Sequence, residues 1–151
     1  MSTLELVRRA VMAILVVGLA GTVVELVLLK HTDGFWQWIP LALLGLSLLV
    51  LAWYGISRGA AALRAHRAVM VLFVLSGGVG AIQHFRGNIA YEKDSDPSLS
   101  GMALYRRALS GSTPSLAPGT MIQLGLLGLL FAFRHPRLAR SEDQFQERVT
   151  S

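Results

Sequence analysis

Apolar residues in this chain are gathered into four long runs and are not spread at amphipathic spacing. Runs of this length indicate transmembrane helices, because each can cover the hydrocarbon core of a bilayer. The first run is apolar from Val11 through Val24 and then carries Glu25 before it reaches Lys30 and His31. The pattern predicts an all-α, polytopic membrane protein, a bundle of four transmembrane helices.

Caps, prolines and charged residues set the predicted boundaries. Ser2 and Glu5 have the spacing of a capping box, and Pro136 follows the last apolar run. The chain is predicted to be a single membrane domain over residues 1–151. Its four spans are expected at about 9–30, 38–57, 65–86 and 117–134, with a loop over 87–117 and a cytoplasmic tail over 135–151.

The long loop carries a helical pattern of its own. Asp96 and Pro97 resemble an N-cap followed by proline at the first helical position, and Leu99, Met102 and Leu109 recur at helical spacing. A short amphipathic helix is therefore predicted over 97–109, in the outer loop between helices three and four.

Aromatic and small residues predict two kinds of helix contact. Aromatic side chains favour the headgroup region, and the predicted interface anchors are Trp36, Trp38, Trp53 and Tyr54. Small residues let helices approach closely in lipid, and the predicted packing positions are Gly18, Gly21, Gly77, Gly78, Gly80, Gly125 and Gly128. A local kink near residues 77–80 is the alternative interpretation of that glycine cluster.

Composition supports a membrane environment. The chain is 53% hydrophobic and 15% charged, has no cysteine and carries a net charge of +5. Disulfide and thiolate chemistry are therefore excluded. The basic residues flank the apolar runs, which favours lipid headgroups over nucleic acid as their partners. Arg8 and Arg9 precede an apolar core too long for a signal peptide, so the first helix is expected to be retained.

Lysine and arginine are distributed unequally between the two ends of the predicted bundle. Nine lie at the ends that hold both termini, and five lie at the opposite end and in the long loop. The positive-inside rule then places both termini in the cytoplasm, and a bacterial cytoplasmic membrane is the expected location.

Polar residues gather at the predicted outer end, because the ends of helices one and three lie at the same depth in an alternating bundle. The candidate polar or ligand-binding residues are Glu25, His31, Gln83, His84, Asn88 and Glu92. An ionisable side chain near membrane depth suggests a functional site. His66 and His135 lie at the predicted cytoplasmic ends of their helices, away from this cluster, and are assigned no ligand role.

Several interpretations of this polar cluster stay open. Glu25 pairing with Gln83, His84 or Arg86 would hold helices together. Two imidazoles and one or two carboxylates would also suit a metal, although no pair has the i, i+3 or i, i+4 spacing of a helical metal motif, and no metal site is assigned. Glu25 with His84 would suit a proton relay or a quinone pocket, and His31 with His84 would suit a haem.

No enzyme motif accompanies the cluster, and the sequence requires no cofactor. The expected function is that of a non-catalytic accessory or structural subunit of a larger membrane complex, of respiratory or photosynthetic type, with other membrane subunits as partners. The alternative is a small membrane enzyme, redox carrier or transporter that uses the Glu/His cluster to bind a metal, quinone or proton. A channel formed by oligomers is a third possibility.

Overall fold

The computed structural model describes residues 2–111 and 117–138, and within them the chain is helical with no strand. The predicted loop residues 112–116 and the tail from residue 139 onward lie outside the described residues. Five helices follow one another: α1 Thr3–Leu28, α2 Phe35–Ser57, α3 Ala60–Ser95, α4 Gly101–Leu109 and α5 Gly119–Ala132.

Three of these helices, α1, α2 and α3, are long and apolar enough to cross a membrane. The fourth apolar helix, α5, has 14 residues and falls below that length. At 1.5 Å per residue it measures about 21 Å, against about 30 Å for a hydrocarbon core. Membrane insertion therefore rests on the first three helices.

The start of α1 has the predicted capping box. The Ser2 side chain accepts a hydrogen bond from the Glu5 backbone N–H, and the Glu5 carboxylate accepts one from the Ser2 N–H. Two N–H groups at the helix start are thereby satisfied without a helical partner.

Helix α2 begins three residues earlier than the predicted boundary at 38. Gly34 is its N-cap, and the Asp33 backbone N–H donates to the Gln37 side-chain oxygen at 2.8 Å. Pro40 consequently lies in the second turn, inside the helix. The helix ends at Arg58, whose φ of 51° is left-handed and stops further helical hydrogen bonding.

Helix α3 differs most from its predicted span of 65–86. It runs unbroken for 36 residues, through the glycine cluster and nine residues past 86. Polar residues after Phe85 suggested a loop, but a polar stretch continues a helix when it leaves the membrane and packs on another helix. Asp96 is accordingly the C-cap of α3, not the N-cap of the next helix, and α4 begins at Gly101 with Ser100 as its N-cap.

The apolar core lies where α5 crosses α3 in antiparallel orientation, with α1 and α2 packed against them. The buried side chains of the main cluster are Leu15, Leu19, Leu44, Val50, Leu51, Val69, Met70, Phe73, Met121 and Leu124. The bundle has two ends, named here from the course of α1 and α3. Both helices begin at the proximal end, with the start of α1 at Thr3, and both run toward the distal end, where α4 folds back on α3.

Candidate functional site

Of the predicted polar residues at the distal end, His84 lies near enough to His31 to act on it electrostatically. His31 lies in the turn after α1 and His84 lies on α3, and both are half-buried. Burial lowers the pKa of His31, the neighbouring His84 imidazole lowers it further, and Asp33 opposes both effects. The lowered pKa favours a neutral His31 imidazole, which can accept a hydrogen bond or ligate a metal.

Glu25 and Gln83 do not join this pair. Both side chains are exposed, and no hydrogen bond or ion pair connects the Glu25 carboxylate to any described residue. Equal depth along two helices therefore does not bring these groups together, because helical rotation directs them away from the packed faces. Within residues 2–111 and 117–138, no three His, Asp or Glu side chains are placed to hold a metal ion.

Asn88 and Glu92 attach α4 to α3. The buried Asn88 amide donates from Nδ2 to the Ala108 carbonyl oxygen at 2.9 Å. The Glu92 carboxylate lies 3.8 Å from the Arg107 guanidinium. Gly111 packs directly against the Asn88 side chain, where a Cβ would come within 2.8 Å of Cγ. These contacts give Asn88 and Glu92 structural partners, which the cluster hypothesis did not foresee.

The α3–α4 unit, residues 84–111, is called the distal hairpin below. One face of α4 is buried against α3, and another face of α4 is apolar and exposed. This exposed face carries Met102, Tyr105 and Leu109 in one helical row. The Tyr105 ring stacks on Phe85 with a centroid distance of 6.1 Å. The hairpin thus buries one face of α4 on α3 and leaves another free.

Three of the four predicted aromatic anchors, Trp36, Trp38 and Trp53, are exposed. Tyr54 is different because it is buried, with its hydroxyl 3.2 Å from His135 Nε2. The aromatic pattern could not distinguish Trp53 from Tyr54, since adjacent helical residues point about 100° apart.

Five of the seven predicted packing glycines lie against a neighbouring helix: Gly18, Gly77, Gly80, Gly125 and Gly128. At Gly125 the obstacle is backbone, because a Cβ would lie 2.8 Å from the Met70 carbonyl oxygen of α3. Gly21 and Gly78 depart from the prediction, because a Cβ at either position would meet no atom within 4 Å. Both lie on faces turned away from the other helices.

The most tightly packed polar group lies at the proximal end and was not predicted. Tyr54, His66, Phe131 and His135 form an aromatic–histidine cluster, in which Phe131 contacts the other three rings at centroid distances of 5.6–5.8 Å. The rings meet edge-on or tilted, as aromatic pairs prefer. The cluster joins the end of α2, the start of α3 and the end of α5.

His66 is completely buried in this cluster. Its Nε2 lies 3.2 Å from the Gly128 carbonyl oxygen, so Nε2–H is the donor and Nδ1 is left as an acceptor. Nδ1 has no hydrogen-bond partner. An unpaired buried acceptor costs about 1–3 kcal/mol, which the ring contacts and the Nε2 bond must offset.

His135 lies just beyond α5 and is held from two sides. The Arg137 backbone N–H donates to Nδ1 at 3.4 Å, which leaves Nε2–H to donate to the Tyr54 hydroxyl oxygen. Burial lowers the pKa of His135, and the nearby Arg8 and Arg137 charges lower it further. Arg8 also donates from its guanidinium to the Arg134 carbonyl oxygen at 3.0 Å, which ties α1 to the end of α5.

A helical signal for buried His66 was present in the sequence. Ala62, Met70, Phe73 and Gly77 recur at helical spacing around it, so that His66 shares their buried face. Its position among arginines favoured a helix-end interpretation instead. His135 gave no comparable signal, since its burial depends on the chain turning back after α5.

Comparison of the chain with models of protein families, with curated proteins and with solved structures finds no match. The fold and the two polar groups, distal and proximal, are therefore the available basis for assigning a function.

Proposed function

We propose that this chain is a non-catalytic accessory subunit of a larger membrane complex, of respiratory or photosynthetic type, in a bacterial cytoplasmic membrane. It crosses the membrane four times, with both termini in the cytoplasm and the distal hairpin on the outer side. The observation that carries the proposal is the distal hairpin, which projects beyond the apolar part of α3 with one apolar face free.

The fourth crossing is supported by the packing of α5. Gly125 and Gly128 lie against α3 between Val74 and His66, within the apolar part of that helix. If α3 spans the bilayer, α5 lies at the same depth, and its flanking residues or local thinning of the bilayer make up the missing length. The excess of arginine at the proximal end supports a cytoplasmic location for that end.

The length of α3 supports an outward-projecting hairpin. Its 36 residues span about 54 Å, so roughly 24 Å remains after a hydrocarbon core of about 30 Å. The side chains of Met102 and Leu109 on the adjacent α4 are 67% and 61% exposed. A helical hairpin that leaves Met102 and Leu109 exposed suits a contact with another subunit.

Site-specific photo-crosslinking in native membranes tests the proposal. A benzoylphenylalanine at Met102 is expected to crosslink to one partner protein, and the same residue at Asp94 on exposed α3 serves as the control. Native gel electrophoresis in mild detergent should show the chain in a larger complex at fixed stoichiometry. Met102→Ser with Leu109→Ser should release it without loss of helical content. A monodisperse lone chain, or crosslinks to lipid alone, would contradict the proposal.

A second candidate function is a redox carrier, transporter or small enzyme working at the distal end. The proximity of His31 and His84 favours it, since paired imidazoles can bind a metal or haem or relay a proton. Elemental analysis and an absorbance spectrum of the protein purified from native membranes provide the test. A stoichiometric metal or a Soret band that is lost in His84→Ala would support this function, and their absence from the purified wild type would reject metal and haem.

A further inference from the structure

An open groove of about 350 Å³ runs between α1 and α2 at the proximal end. Its walls are apolar, and its end toward the start of α3 is basic. The residues that define it are Met12, Val16, Leu48, Leu51, Gly55 and Arg58. An apolar groove with a cation at one end has the polarity that suits an amphiphile with an anionic head.

Arg58 is held at the groove by its own backbone. Its left-handed conformation ends α2, and its Nε–H donates to the Gly55 carbonyl oxygen at 3.1 Å. This bond folds the side chain back over the last turn of α2. The terminal guanidinium nitrogens make no hydrogen bond or ion pair within the described part of the chain.

Arg9 provides a second cation, from the opposite wall. It lies three residues before Met12 and seven before Val16, so it shares their face of α1 one turn closer to the proximal end. Its side chain is exposed, and it too has no ion pair among residues 2–111 and 117–138.

Within residues 2–111 and 117–138, no acidic side chain forms an ion pair with Arg9 or Arg58. The acid nearest in sequence to Arg9 is Glu5, whose carboxylate is already bound to the Ser2 backbone N–H at 2.9 Å. Arg8, Arg67 and Arg137 add further positive charge at the same end. A cluster of arginines at a membrane surface attracts anionic lipid.

We propose that the groove binds one anionic phospholipid from the surrounding bilayer. An acyl chain lies along Met12, Val16 and Leu51, and the phosphate sits between Arg9 and Arg58. Basic pockets between transmembrane helices recognise anionic headgroups in this way. The site depends on membrane insertion and is independent of the proposed role as a subunit.

Native mass spectrometry of the full chain, released from vesicles of equimolar phosphatidylglycerol and phosphatidylcholine, tests this site. The wild type is expected to retain one phosphatidylglycerol in preference to phosphatidylcholine. An arginine near an anionic lipid contributes on the order of 1 kcal/mol, or about fivefold in affinity. Arg9→Gln with Arg58→Gln should therefore reduce the preference by about 25-fold, or to none.

Two controls distinguish the groove from general surface charge. Arg67→Gln with Arg137→Gln removes the same charge from the proximal end outside the groove and should keep the preference. Gly55→Leu fills the groove without a change in charge and should abolish retention, whereas Gly45→Leu should not. A Cβ meets no atom within 4 Å at either glycine, so both variants are expected to fold.

Three outcomes would overturn the proposal. In the first, the preference for phosphatidylglycerol survives in the Arg9→Gln, Arg58→Gln double variant and also in Gly55→Leu. In the second, the preference falls as much in the Arg67→Gln, Arg137→Gln control as in the Arg9→Gln, Arg58→Gln variant. Alternatively, a second copy or another protein could occupy the groove, which would be seen as a protein adduct lost in Gly55→Leu and no retained lipid.

Discussion

The proximal aromatic–histidine cluster and the distal hairpin both contain polar groups between helices, but they are held in different ways. At the proximal end, buried rings from α2, α3 and α5 surround Phe131 and leave little surface exposed. At the distal end, a nine-residue helix is attached to the end of α3 by the buried Asn88 amide, the stack of Tyr105 on Phe85 and two long ion pairs. The proximal cluster is therefore expected to unfold with the whole bundle, and the hairpin to open locally.

The two ends of the bundle also differ in how accessible their histidines are. His66 is the most enclosed ionisable side chain of the described residues, and its ring contacts Phe131 and the Gly128 carbonyl oxygen of α5. His84 is only half-buried, and its neighbour His31 lies in a turn. A ligand or partner can reach the distal groups more easily, whereas the proximal groups determine how α5 is positioned.

The largest expected effect is at the α3–α5 interface that positions the proximal cluster. Gly125→Leu would place a side chain against the Met70 carbonyl oxygen and Phe73, which cannot both move aside. We expect the free energy of unfolding to fall by about 3 kcal/mol, at the upper end for overpacking. Thermal unfolding in mild detergent, followed by helical circular dichroism, measures it. Gly78→Leu is the matched control, since a Cβ there meets open space, and an equal loss in both variants would contradict tight packing at Gly125.

A smaller but still global effect is expected at His66. His66→Ala removes the Gly128 bond and leaves a cavity, which should cost about 2 kcal/mol of unfolding free energy. His66→Leu should recover much of this loss, because it restores volume and removes the unpaired Nδ1. At the distal end, His84→Ala should change global stability by well under 1 kcal/mol. Equal losses at His66 and His84 in thermal unfolding would remove the distinction between the two ends.

Sequence patterns predicted where the helices lie along the chain better than how the helices pack against one another. Apolar runs identify α1, α2 and the apolar part of α3, because hydrocarbon-spanning segments need little beyond length and composition. The polar half of α3 was interpreted as a loop, since residues such as Asn88 and Glu92 reveal their helical role only through α4. Likewise, the sequence indicates the depth of Glu25 along α1. Which side of α1 carries Glu25 relative to His84 depends on how α1 packs against the other helices.

The two ends should also differ in their response to pH. A histidine with a lowered folded pKa binds its proton more weakly in the folded state, so stability is present above the unfolded pKa of about 6.5 and is lost as pH falls below it. Both His135 and His31 act in this direction. His135 is the more enclosed, so His135→Gln should remove more of the stability loss between pH 7.5 and pH 5.5 than His31→Gln. Unfolding free energies measured at both pH values test this, and a larger effect of His31→Gln would contradict it.

The smallest effect on stability is expected when the ion pairs of the distal hairpin are removed. Arg107 lies 3.8 Å from Glu92 and 4.0 Å from Asp96, and its side chain is 57% exposed. Exposed ion pairs at such distances contribute between zero and about 1 kcal/mol, because water screens them and both side chains lose freedom. Arg107→Gln should therefore leave amide hydrogen exchange in α4 within about threefold of the wild type.

Asn88→Leu provides the matched comparison within the same hairpin. It removes the buried hydrogen bond from the Asn88 amide to the Ala108 carbonyl, which should cost about 1–2 kcal/mol. Exchange in α4 should then accelerate by roughly 5- to 30-fold, while exchange in the α3–α5 interface stays unchanged. If Arg107→Gln opened α4 as much as Asn88→Leu, the hairpin would be held by its charges, and its attachment would weaken with added salt. We expect the opposite: the hairpin depends on one buried amide, and its protection should be insensitive to ionic strength.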